Sequence, residues 1–123
     1  MERFSNLSEI EDVDIIHYPW FDFFSHTLHL KRSVPTVVTI HDVIPLIFPK
    51  NHPVGIRGKI NFLIQKMALK SCKFVITDSK TSQADIVKYL KIAAEKIIVV
   101  PLAADAEFRL LSDTQLLLVK RKY

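Results

Sequence analysis

The chain has 123 residues, 49% apolar and 24% charged, with a formal net charge of +4, which places it in the ordinary globular class as one domain at most. No apolar run approaches the ~18 residues of a membrane-spanning helix, and a lone Cys72 excludes an internal disulfide and points to a reducing compartment. Gly55 and Gly58 are the only glycines, so a glycine-rich phosphate loop is excluded as well.

In chain order, the opening residues M-E-R-F-S-N-L-S-E-I-E-D carry acids and lack the apolar stretch of a signal peptide, which leads to the expectation of a cytoplasmic protein. Residues 13–16, V-D-I-I, form the first of four short segments rich in β-branched or aromatic residues. The others are 36–40, 73–77 and 97–100. Three of the four lack a clean alternation and read as strands buried on both faces, the signature of a parallel sheet. Residues 18–34 fit neither helix nor strand: Tyr18, Trp20, Phe21, Phe23 and Phe24 fall within seven residues, followed by His26 and His29. We read this segment as a connection folded back over the sheet, its aromatics either packing there or lending one or two rings to a ligand pocket.

Between the second and third strand segments, Ile56, Ile60, Leu63, Ile64 and Met67 recur at helical spacing and form one apolar stripe along residues 56–71. A second helix follows over 79–90, with Ser79 as N-cap and Ala84, Val87 and Leu90 on the buried side. Strand, helix, strand, helix, strand is the right-handed crossover grammar of an α/β protein with an open parallel sheet. At the far end, L-L-L-V and K-R-K-Y within 110–123 carry no convincing helix stop signal.

Ligands of open parallel sheets bind beyond the carboxyl ends of the strands. That edge gathers His17 and Tyr18 after the first strand, His41 and Asp42 after the second, Asp78 and Ser79 after the third, and Pro101 to Asp105 after the fourth. Each residue also has a structural explanation: a strand-end histidine bonded to backbone, aspartates closing turns, a serine capping a helix. Ser79 marks a helix start that also favours an anion. His26-x-x-His29 has no carboxylate or thiol at metal-ligand spacing, so no metal site is assigned. Cys72 follows a helix and no G-x-S-x-G elbow exists, which leaves nucleophilic catalysis without support. Charge is unevenly placed: Lys50, Arg57, Lys59, Lys66, Lys70 and Lys73 lie between Val43 and Thr77 with no acid among them. Such a surface is either a solvated face or an attraction for phosphate-bearing ligands or anionic lipid; no nucleic-acid-binding motif accompanies it.

The order D-V-D-I-I-H-Y-P, V-P-T-V-V-T-I-H-D-V-I-P-L-I-F-P, C-K-F-V-I-T-D-S-K-T-S-Q-A-D-I and E-K-I-I-V-V-P-L-A-A-D-A-E-F resembles the second half of the N-terminal domain of GT-B fold glycosyltransferases of family four, the group 1 enzymes that include many mannosyltransferases. The resemblance covers Asp12 to Phe108. It implies a partial, Rossmann-like acceptor-side domain over 1–108, and over 109–123 a truncated linker toward a donor domain that this sequence lacks. The implied reaction moves a sugar from a nucleotide-sugar donor to a hydroxyl of a sugar or lipid-linked acceptor, with retention at the anomeric carbon and no cofactor. His41 matches the family histidine that reaches across the cleft to the donor sugar; His17, Tyr18, Asp42, Asp78 and Ser79 become candidates for lining that cleft. The family's glycine-rich opening turn and its paired glutamates spaced E-x7-E are not found, so negligible activity is expected of the chain alone. The strand at 13–16, without its usual neighbour, is expected to present an open edge that invites self-association. The alternative is a non-catalytic partner or binding subunit that uses the half-sheet as a docking surface.

Overall fold

The computed structural model describes residues 13–105, 108–109 and 112–122. Four strands, β1 (Ile16–Tyr18), β2 (Thr36–Thr39), β3 (Phe74–Thr77) and β4 (Ile97–Val99), form one sheet in the order β1-β2-β3-β4, and every neighbouring pair is parallel. Between β2 and β3 lie α1 (Ile44–Ile47) and α2 (Ile56–Lys70); between β3 and β4 lies α3 (Lys80–Asp85), which runs on into a π-helical turn at Ile86–Leu90. A further helix, α4 (Asp113–Lys122), occupies part of the segment expected to be a linker. The α/β class with an open, all-parallel sheet is the one the sequence led us to expect.

Strands that follow one another in space as in sequence, joined by right-handed crossovers, place every connection on the same side of the sheet. Burial agrees. Tyr18, Val38, Val75 and Ile97 stand in register across the four strands, and the last three are buried in a core shared with Phe21, Leu28, Ala68, Leu69, Ile86 and Leu90 from the connections. The opposite side carries His17, Val37 and Phe74 in one row and Thr39, Ile76 and Ile98 in the next. Phe74 and Ile76 are half-buried and Ile98 is exposed. Only β2 is buried along its whole length, which corrects the expectation that three strands would be covered on both faces.

The connection after β1 packs as expected in part. Phe21 and Phe23 meet edge to face at 5.1 Å inside the core, whereas Trp20 is 61% exposed. Asp22 folds the segment into a tight loop, its Oδ1 accepting from the Phe24 amide at 2.8 Å while its own amide donates to Thr27 Oγ1 at 3.1 Å. Gln65 then anchors it from α2: fully buried, its amide accepts from the Leu28 N–H at 2.8 Å and donates to the Leu28 carbonyl at 3.0 Å. The carboxyl end of α2 is closed by two cations, Arg32 donating to the Ala68 carbonyl and Lys96 to that of Lys70, where the helix dipole favours positive charge.

The two helix faces differ in how they meet the core, and Ile64 of the α2 stripe is half-buried. Ile56, Ile60, Leu63 and Met67 point away from the core, while Gln65, Ala68 and Leu69 are the buried residues of α2. In α3 and its π-helical continuation, Leu90 is buried and Val87 packs against the core as expected, but Ala84 is exposed and Ile86 takes its place. Ile86 and Leu90, four residues apart, share one side of this segment, and both are buried. Lys91 ends the segment in the left-handed region at φ 58°, its amide donating to the Val87 carbonyl.

Candidate functional site at the carboxyl ends of the strands

β2 leaves the sheet through Ile40, whose amide still donates to the Ile76 carbonyl at 2.9 Å. Carrying that register on brings His41 opposite Asp78, and the two side chains meet there: His41 Nδ1 lies 2.7 Å from Asp78 Oδ2. The imidazole is 50% exposed and the carboxylate 23%. Alternation along each strand puts both on the less covered side of the sheet, together with Thr39 and His17. Those two also meet, His17 Nε2 standing 2.9 Å from Thr39 Oγ1. The rim on this side therefore carries two ordered histidines, each with one ring nitrogen held by a neighbour.

A carboxylate on Nδ1 selects the tautomer in which that nitrogen carries the proton and donates. The other nitrogen, Nε2, is then left for a group arriving at the rim. Asp78 thus holds the ring in one orientation and supplies nearby negative charge, which makes the imidazole a directed hydrogen-bonding group.

The remaining candidates divide. Asp42 is exposed and closes the turn into α1, its Oδ1 accepting from the Ile44 amide at 2.9 Å. Ser79 caps α3, its hydroxyl accepting from the Ser82 amide at 3.0 Å and donating to Ser82 Oγ at 3.1 Å. Tyr18 is set apart. One position beyond His17, it faces the other side of the sheet and packs against the core under the connections. Burial pushes its phenol above the ordinary value, with Arg32 pulling in the opposite direction. The structure brings His17 to Thr39 and His41 to Asp78, and it does not bring Tyr18 to them. Thr39 was not singled out from the sequence; its position two residues before His41, on the same side of the strand, is the signal that would have found it. Among the described residues no three His, Cys, Asp or Glu side chains gather as metal ligands.

Among the described residues, cavities lie at both ends of the sheet, two of which are lined in part by charged or polar side chains. The larger, about 680 Å³, opens at the amino ends of the strands beside Arg32, Thr36, Cys72, Lys73 and Lys96, the end opposite His41. Cys72 is buried there and burial raises its thiol pKa, so its chemistry is muted. The smaller, about 420 Å³, lies on the segment that leaves the rim after His41 and is lined by Phe24, Leu46, Pro49, His52, Lys59 and Phe62. It combines apolar walls with two polar groups, the usual make-up of a small-molecule site.

A search of curated proteins finds no match to this sequence. A family model does match: that of Glycosyltransferase Family 4, over residues 2–108, which spans the whole four-stranded sheet and its rim. On that match, and on the parallel α/β fold that carries it, the chain belongs to glycosyltransferase family 4.

Proposed function

We propose that this chain supplies the acceptor-side half of a retaining, mannosyltransferase-like enzyme, which passes a sugar from a nucleotide-sugar donor to an acceptor hydroxyl. The observation that carries the reading is the half-exposed His41, fixed by Asp78 at the carboxyl rim of the sheet. In this role Nε2 meets a hydroxyl of the transferring sugar, and the imidazole contributes to the positioned polar environment in which charge develops as the nucleotide departs. The 420 Å³ cavity beside α1 accommodates the acceptor, with His52 and Lys59 as its polar contacts. Asp42 and Ser79 act mainly by shaping the backbone at the rim, since their side chains are engaged in capping. The groups that would hold the nucleotide come from a second domain, so the chain alone turns over no donor.

Complementation tests this. The chain is mixed with, or fused to, the donor-side domain of a family 4 enzyme, and release of nucleoside diphosphate is followed over a panel of nucleotide sugars. Turnover by the pair and none by either part is expected; a pair that assembles and stays inert contradicts the reading. The partly exposed second side of the sheet, with Ile98 44% exposed, favours a second reading as a docking subunit without catalysis, and assembly without turnover is its signature.

A further inference from the structure

The amino ends of the strands, opposite the rim, collect three cations from distant parts of the sequence. Arg32 precedes β2, Lys73 stands immediately before β3 and Lys96 immediately before β4. Because β2, β3 and β4 are neighbours in a parallel sheet, their starts lie side by side. The three side chains line the cavity of about 680 Å³, a volume within the range of small-molecule sites. Leu30, 52% exposed, and the half-buried Phe74 add apolar wall. Among the described residues no carboxylate lines it.

Two of the cations are held in place. Arg32 donates from Nη1 to the His29 carbonyl at 2.6 Å and from Nη2 to the Ala68 carbonyl at 2.7 Å, and Lys96 Nζ donates to the Lys70 carbonyl at 3.0 Å. These acceptors are neutral, and the carboxyl end of α2 carries roughly half a negative charge. Two full positive charges therefore exceed what the helix end offsets, and the exposed Lys73 adds a third. Burial raises the Cys72 thiol while Arg32 and Lys96 pull it down, so their field reaches into the cavity.

We propose that this cavity binds a soluble phosphate monoester bearing a small apolar or aromatic group, the three cations taking the phosphate and Leu30 and Phe74 the apolar part. Arginine and lysine converging without an acid select an anion, and phosphate oxygens meet both kinds of donor. Apolar wall beside the charges favours an ester over the bare inorganic ion. The inference is independent of the transferase reading: the cavity lies at the end of the sheet opposite His41, and its test reads binding rather than turnover.

The test is titration of the full chain with phenyl phosphate, inorganic phosphate and benzyl alcohol by isothermal calorimetry, with backbone amide shifts followed by proton–nitrogen NMR. Phenyl phosphate should bind at least about fivefold more tightly than inorganic phosphate, benzyl alcohol should not bind measurably, and the shifts should centre on Arg32, Lys73 and Lys96. Lys73→Glu, at an exposed side chain, should keep the parent's far-UV circular dichroism and weaken phenyl phosphate at least about tenfold. Leu30→Asn should bring phenyl phosphate down to the level of inorganic phosphate, and Lys50→Gln, beyond the rim at the other end of the sheet, should bind as the parent does. Absence of phenyl phosphate binding, shifts centred on the rim, parental affinity in Lys73→Glu, an equal loss in Lys50→Gln, or an undiminished preference for the ester in Leu30→Asn would overturn the proposal. So would binding of the same phosphate group only when a lipid presents it, as phosphatidic acid in vesicles.

Discussion

At the scale of single residues, the 2.7 Å contact between His41 and Asp78 settles which nitrogen of the imidazole is committed. The neutral ring should carry its proton on Nδ1, and Asp78→Ala should redistribute it toward Nε2. Long-range proton–nitrogen NMR correlations read this directly, and a tautomer unchanged by the substitution would remove Asp78 from the positioning role. From the sequence, His41 and Asp78 were legible as strand-end residues but only as separate candidates. Their meeting depends on the β2–β3 register, Thr39 opposite Ile76, which nothing local to either segment encodes. Tyr18 shows the converse: alternation from His17 was enough to place it on the other side of the sheet, yet its nearness in sequence kept it among the candidates.

At the scale of elements, α2 shows that a helical period identifies a stripe without saying which face the core takes. The helix bounds expected from the sequence agree with Ile56–Lys70 to within a residue. Two apolar faces were available, however, and the core took the one containing a glutamine. Gln65 earns that place by bonding both backbone groups of Leu28, which sits in a connection without regular structure. A buried N–H or carbonyl left unpaired costs about 1–3 kcal/mol. Gln65→Leu should therefore destabilise the chain by about 2–4 kcal/mol in urea unfolding, after some return from apolar burial; a change below about 0.5 kcal/mol, within the range of ordinary surface substitutions, would mean the loop finds other partners. β1 teaches a related lesson. It was expected at 13–16 and lies at Ile16–Tyr18 because the Ile16 amide donates to the Pro35 carbonyl and Ile16 pairs with Thr36, a long-range choice that V-D-I-I does not announce.

At the scale of the whole molecule, the crossovers gather on one side of the sheet and the other side is only partly covered. Parallel sheets are ordinarily covered on both faces. Among the described residues β1 has a strand neighbour on one side only, and Ile98 and Val100, 44% and 48% exposed, stand at the opposite end of the sheet. The chain studied alone should then self-associate, with a mass above that of one copy in light scattering and a melting transition that depends on concentration. A monomer melting cooperatively and identically over a hundredfold concentration range would contradict this. The alternation of β-rich and helical segments made the fold class readable, because a crossover connection leaves a strong local pattern. How far each face would be covered was not readable, since that depends on what packs against the sheet.

The most direct test of the proposed transferase role is the turnover of His41→Ala in the chain joined to a donor-side domain, compared with the parent at saturating donor. The ring is half-exposed and bonded to a single side chain, so the melting temperature should hardly move, while loss of one positioned polar group is expected to lower kcat by about 100-fold. A kcat within twofold of the parent would contradict the account.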